Sequence, residues 1–262
     1  MGYNTFSYDL TDGVARITLN RPDSYNAMNC QMAKDLMDAS IAMDADPNVR
    51  VVVITGAGKA FCAGGDLVSF SQKGDGLPAF AKEMTVYLHA AVSNLNRMDA
   101  PVIAAVNGVA AGAGMSLVCS TDLAIAAESS AYTMAYTLAG LSPDGSGTYF
   151  VSRLVGMRRA KELAITNRKL TSAEALDWGI VNQVVPDADF EAEVNALATR
   201  LAKGPTRAFG TAKRLIMEGT SSSLETQMQV EAEGIAAMMA THDGREGIDA
   251  FTNKRKPEFT GE

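Results

Sequence analysis

The chain has 262 residues, 47% of them hydrophobic and 20% charged, a globular composition long enough for a substantial core. Its net charge of −7 makes it a poor general binder of nucleic acid or of an anionic membrane. The two histidines (His89, His242) and three cysteines (Cys30, Cys62, Cys119) give no zinc-ligand spacing and no disulfide framework, so free thiols in a reducing cytoplasm are expected and no metal. The first ten residues lack a basic segment followed by an apolar run, so no signal peptide is expected.

Val14–Leu19 alternates and predicts a short strand that stops at Asn20-Arg21-Pro22. Asn29 is placed to cap a helix running to about Asp44, with Met32, Leu36, Ala39 and Met43 on one face. Residues 49–55 are rich in β-branched side chains, as expected of a strand buried on both faces, and Gly56-Ala57-Gly58 ends them. A helix over residues 78–97 leads to the strand Val102–Val106, another helix begins near Gly112, and Leu123–Ala127 is the next strand. The uncharged stretch 100–121 is long enough to cross a bilayer, but Pro101, Asn107 and its glycines predict a buried strand, a tight turn and a helix instead. From about Gly145 the chain becomes mostly helical. Residues 181–185 form the last strand, and Pro186-Asp187 is the boundary. Residues 190–251 read as helices separated at Gly204-Pro205, Gly219-Thr220 and Asp243-Gly244. The expected organisation is an α/β core over residues 1–187 and a helical region over 188–262.

Familiar motifs fail on inspection. Gly56-x-Gly58 follows a strand, but Phe61 stands where a dinucleotide-binding turn needs its third glycine. Gly114-Met115-Ser116-Leu117-Val118 begins like a nucleophile elbow and lacks its closing glycine. Three segments remain: Phe61-Cys62-Ala63-Gly64-Gly65-Asp66-Leu67, the glycine- and alanine-rich residues 107–114, and Leu141-Ser142-Pro143-Asp144-Gly145. Small-residue turns leave backbone N–H groups unpaired, and two such groups aimed at one point would stabilise an oxyanion. Tight packing of helix on strand is the competing account of the same glycines.

Taken in order, Asn20-Arg21-Pro22 with Asn26-Ala27, Ile54-Thr55-Gly56, Phe61 to Asp66, Ala104-Ala105-Val106-Asn107-Gly108, residues 171–179 and Glu246-Gly247-x-x-Ala250-Phe251 resemble the crotonase, or enoyl-CoA hydratase/isomerase, superfamily. The resemblance covers nearly the whole chain. It implies a crotonase (ClpP-like) spiral of ββα units, a helical C-terminal trimerisation region giving a homotrimer or a dimer of trimers, and an acyl-CoA thioester substrate. It implies that the amides of Gly65 and Ala113 form the oxyanion hole for a thioester enolate, with coenzyme A as part of the substrate and no other cofactor. Main-chain contacts to CoA are implied near Ala27, Ala63 and Asp66-Leu67-Val68, and contacts from Phe251 and Lys254 across a subunit boundary.

The departures from the pattern bear on the chemistry. Typical hydratases of the family place glutamates where this chain has Ser116 and Tyr136, so classical hydration is not expected. The remaining carboxylate is Asp144, although Pro143-Asp144-Gly145 is also an ordinary turn sequence. Residues 107–114 and 141–144, with Pro257-Glu258-Phe259-Thr260-Gly261, resemble the ring-epoxide (1,2-epoxyphenylacetyl-CoA) isomerase branch. Residues 154–160 and 166–168 resemble the 4-chlorobenzoyl-CoA dehalogenase branch, in which an aspartate is the nucleophile and a histidine at the position of His89 activates water. The leading expectation is an isomerase that uses Asp144 as base in an apolar pocket. A dehalogenase-like or hydrolytic enzyme using Asp144 and His89, and a non-catalytic acyl-CoA binder, are the alternatives.

Overall fold

The computed structural model describes residues 2–262. The strands form two sheets. Strands β1 (Phe6–Thr11), β2 (Val14–Leu19), β3 (Val51–Gly56), β5 (Val102–Val106), β7 (Leu123–Ala127) and β10 (Gln183–Val185) form a six-stranded sheet in the order β1-β2-β3-β5-β7-β10. Only β1 is antiparallel to its neighbour. Strands β4 (Ala60–Cys62), β6 (Val109–Ala111), β8 (Ala131–Thr133) and β9 (Leu170–Thr171) form the second sheet in that order. The pairs β3/β4, β5/β6 and β7/β8 thus each add one strand to both sheets before a helix intervenes. This repetition is the ββα spiral.

The helices are α1 (Cys30–Asp44), α2 (Leu67–Ser71), α3 (Leu77–Arg97), α4 (Ala113–Ser120), α5 (Gly147–Thr166), α6 (Ser172–Asp177), α7 (Phe190–Ala202), α8 (Thr206–Gly219), α9 (Leu224–Ala240) and α10 (His242–Thr252). Asn29 caps α1 as expected, its side chain accepting from the Met32 N–H at 2.8 Å. The strands β4, β6, β8 and β9 have two or three residues each, too short to show periodicity; β4 and β6 lie in or beside the segments expected as small-residue turns. Strand β1 was also unforeseen. It joins β2 through Asp12-Gly13, both at positive φ, the pattern of a two-residue hairpin turn. At the C-terminus the expected break at Asp243-Gly244 lies inside α10. The helix is capped earlier, by the Thr241 hydroxyl on the Gly244 N–H at 2.9 Å.

Strand β3 is buried along its whole length because its two faces serve different cores. Val52 and Ile54 face the main core with α1 and α3. Val51 and Val53 face a second cluster, with Ile103 and Ile125 beside them and Phe190, Val194 and Ala198 of α7 laid across the back of the sheet. Helix α8 is fastened to this body by Lys213. Its ammonium donates to the carbonyls of Leu95 and Ala100 and, at 2.8 Å, to Asp122, which also accepts the Val102 N–H. Burial lowers the Lys213 pKa and raises that of Asp122, so each partner's charge depends on the other. Lys213→Met strands a largely buried carboxylate, and chemical denaturation should show a loss of roughly 3–5 kcal/mol. Adding Asp122→Asn to that variant should recover part of the loss.

Candidate active site

The site grows from two main-chain turns that touch. The first, after β4, contains Gly64; the second, before α4, contains Gly112. A Cβ on Gly112 would lie 3.3 Å from the Gly64 Cα, and both residues have positive φ (+50° and +101°). One residue pair further on, a Cβ on Gly114 would lie 2.1 Å from the Cys62 carbonyl oxygen, so α4 rests directly on β4. Gly65 and Ala113 immediately follow the touching glycines. Among the described residues neither amide N–H is taken up by a protein acceptor, while their neighbours' amides are: Asp66 N–H donates to Met28, and Gly112 N–H to Thr133. Ala113 opens α4, where the helix dipole adds partial positive charge.

The loop after β2 holds the first turn in place. Asn26 is fully buried and donates to the carbonyls of Ala57 and Ala60, and its own oxygen accepts the Arg21 N–H. The Arg21 guanidinium donates to the Ala27 carbonyl and, at 2.8 Å, to Asp66. Asp66 also caps α2 by accepting the Ser69 N–H at 3.0 Å. Burial opposes its charge, but these donors outweigh burial and hold its carboxyl below the usual range. Its carboxylate is thus occupied in fixing the turn. Asn107 stitches the second turn, accepting the Gly56 N–H and donating to the Gly58 carbonyl, both at 3.0 Å.

Ala27 is buried and Ala63 exposed, and the Ala63 N–H donates to Tyr25, so both lie on one clamped segment. Leu67 and Val68 are 54% and 70% exposed beside it. Cys62 lies in the same region but is no nucleophile, because burial pushes its thiol up to about 11.

Asp144 sits in the turn between a short 3-10 helix (Tyr136–Ala139) and α5. The Tyr136 hydroxyl donates to Asp144 Oδ1 at 2.8 Å and lies 2.9 Å from the Ser116 Oγ, which is fully buried on α4. The three side chains form one hydrogen-bonded row. Burial first, and then the adjacent Asp144 charge, raise the Tyr136 pKa, so the phenol keeps the proton it donates. Ser116 is hemmed in: a Cβ on Gly147 would lie 2.4 Å from its Oγ. His89, on α3, reaches the same turn. Its Nε2 accepts the Gly145 N–H at 3.2 Å, which leaves the proton of the neutral ring on Nδ1.

Phe251 and Lys254 are exposed at the end of α10, and no hydrogen bond within this chain joins them to the Asp144 turn. The basic run around Lys254 is partly neutralised, since Arg255 pairs with Glu246 and Asp249. Arg255, and then the Glu258 N–H, hold the Glu246 carboxyl down at about 2. His242, expected in a surface turn, opens α10 with Nδ1 3.2 Å from both Asp243 and Thr260. Among the described residues no group of three His, Cys, Asp or Glu side chains could hold a metal ion, and no helix is long and apolar enough to cross a membrane.

With this geometry established, comparison with known proteins gives its class. The family model for enoyl-CoA hydratase/isomerase matches residues 9–262. A protein of Rhodobacter capsulatus described as a probable enoyl-CoA hydratase is 40% identical over the whole of both chains. The 1,2-epoxyphenylacetyl-CoA isomerase of Escherichia coli is 37% identical over 95% of each chain, and a 4-chlorobenzoyl coenzyme A dehalogenase of Arthrobacter is 34% identical over 95% of this chain and 90% of that one. The crystal structure of an enoyl-CoA hydratase from Polaromonas superposes with a TM-score of 0.93 at 32% identity, covering 98% of this chain and 100% of the other. The fold is that of the crotonases. The chain belongs to the enoyl-CoA hydratase/isomerase family and is an acyl-CoA enzyme of that family.

The Arg21–Asp66 clamp makes a pH-dependent prediction. A carboxyl whose folded pKa is depressed contributes stability that is complete above its unfolded value of about 3.9 and is lost as pH falls through the folded value. The gap in melting temperature between the wild type and Arg21→Met should therefore be widest above pH 5 and narrow below about pH 3.

Proposed function

We propose that the enzyme isomerises an acyl-CoA thioester through an enolate, with Asp144 as the base. In this reading the Asp144 carboxylate takes a proton from the carbon beside the thioester and returns it to another carbon of the acyl group. The N–H groups of Gly65 and Ala113 receive the charge that develops on the thioester oxygen. The contact of the Gly64 and Gly112 turns and the unpaired state of both amides support that assignment. Ala27, Ala63, Leu67 and Val68 would receive the CoA portion, and Phe251 and Lys254 would contribute from a neighbouring subunit of a trimer.

The observation that carries the reading is the row Ser116–Tyr136–Asp144. At the two positions where hydratases of the family carry glutamates, this chain places hydroxyls bonded in series to its one remaining carboxylate. Delivering water across a double bond calls for a second carboxylate, and the space around Ser116 is closed by Gly147. Tyr136 fixes one oxygen of Asp144 and leaves the other for the substrate. A dehalogenase-like or hydrolytic use of His89 is less favoured, because the lone pair a general base would use is occupied by the Gly145 N–H.

Three variants assayed with enoyl-CoA or epoxy-CoA substrates test the scheme. Asp144→Asn should abolish isomerisation, and full retained turnover would overturn it. His89→Gln should isomerise close to normally, since the amide oxygen can still accept from Gly145; complete loss would shift the reading to the hydrolytic mechanism. Tyr136→Phe should lower kcat roughly tenfold to a hundredfold, the cost of a misaligned base, with KM little changed.

A further inference from the structure

We propose that the enzyme's substrates carry a carboxylate at the distal end of the acyl group, and that Arg97 selects them. The inference rests on the proposed reading only in taking Asp144 as the end of the site where the thioester lies. A cavity of about 390 Å³ separates α3 from the start of α5 and from α8, a size typical of small-molecule sites. It begins at the Asp144 turn, since Ser146 and His89 both border it and His89 is bonded to Gly145.

From there, His89, Ser93 and Arg97 follow one another at four-residue intervals and share one face of α3, a distance of about 12 Å along the helix axis. Each can donate a hydrogen bond. Among the described residues, the Ser93 hydroxyl and the Arg97 guanidinium bond to nothing, and the only ring nitrogen of His89 in use is Nε2. Arg97 also lacks a competing carboxylate on its own turn, because Asp99 is paired with Arg214 at 2.7 Å. The facing wall is apolar, with Tyr149, Phe150 and Met217.

This combination matches an acyl group with an apolar stem and an anionic end. His89 and Arg97 are exposed and Ser93 half-buried, so water serves them in the free enzyme; a methyl-ended chain laid along the stripe would displace that water and supply no acceptor in return. Of the acidic groups an acyl chain can carry, a carboxylate is the one a planar guanidinium grips with two parallel hydrogen bonds. The cation at the far end of the stripe also sets the length: the carboxylate must lie about two helical turns from the reacting carbons.

The experiment compares a saturated ω-carboxyacyl-CoA with its methyl-ended counterpart of equal length. Binding to the full-length protein is read by calorimetry, and kcat/KM is read on the matching enoyl-CoA pair. The wild type should favour the carboxylated member. Arg97→Met should lower the ratio between the two by about tenfold, and Arg97→Lys should keep part of it. Equal binding of the two analogues by the wild type, or a ratio unmoved in Arg97→Met, would overturn the inference. Asp144→Asn is run beside them. If that variant turns over normally, the Asp144 mechanism fails while the binding ratio still reports on Arg97. If it is inactive and the ratio is flat, only the carboxylate inference fails.

Discussion

At the centre of the site main chain meets main chain, at Gly64 and Gly112, in the turns that follow the neighbouring strands β4 and β6. Much else in the molecule is arranged around that contact. It requires small residues at Gly112 and Gly114, because a Cβ on the latter would enter the Cys62 carbonyl. It brings the free N–H groups of Gly65 and Ala113 onto adjoining turns. It also explains the polar side chains behind it. Asn26, Arg21 and Asn107 use up the carbonyls and amides of the surrounding loops, so that those loops are rigid while two amides stay free. The spiral supplies the repetition, and these three side chains supply the exact seating of one turn on the next.

Around this backbone frame the side chains decide the chemistry. The relatives reported above range from a probable hydratase to an isomerase and a dehalogenase, at identities of 40%, 37% and 34%, which lie too close together to separate the reactions. In this chain a serine and a tyrosine bind each other and then the aspartate, so the polar capacity of the pocket converges on one carboxylate. The imidazole of His89 is engaged from the other side by the backbone of the same turn. The Asp144 turn is thus gripped by α3, α4 and the 3-10 helix together.

The sequence was most legible where periodicity runs long. Strands β2, β3, β5 and β7 and helices α1 and α3 were placed within a few residues, because alternation or a 3.6-residue stripe extends over enough positions to be seen. The second sheet was invisible for the opposite reason. Its strands are two or three residues long, with β4 and β6 set among glycines where the local signal is that of a turn, and pairing comes only from the spiral that stacks them. The Asp12-Gly13 pair between β1 and β2 is itself a hairpin signal of the sequence. At the site, Asp144, Gly65, Ala113, Ser116 and Tyr136 stood out through resemblance. The bond from Tyr136 to Asp144 did not, since it depends on left-handed backbone at Ala135, Gly145 and Ser146. Arg21 and Asn26 were visible as part of a motif, but their work as clamps on distant carbonyls needs the folded loops. Lys213 gave no signal at all, since its partners lie about a hundred residues away along the chain.

The two free amides differ from the side chains of the pocket in what mutation can do to them. A side chain can be exchanged by one codon change; a peptide N–H is present whatever residue carries it, proline excepted. Drift in the gene can therefore replace the serine, the tyrosine or the aspartate while the two backbone donors persist. Such a frame is a stable platform on which new reactions can be tried one residue at a time, and it helps to explain how close relatives come to be named for such different chemistry.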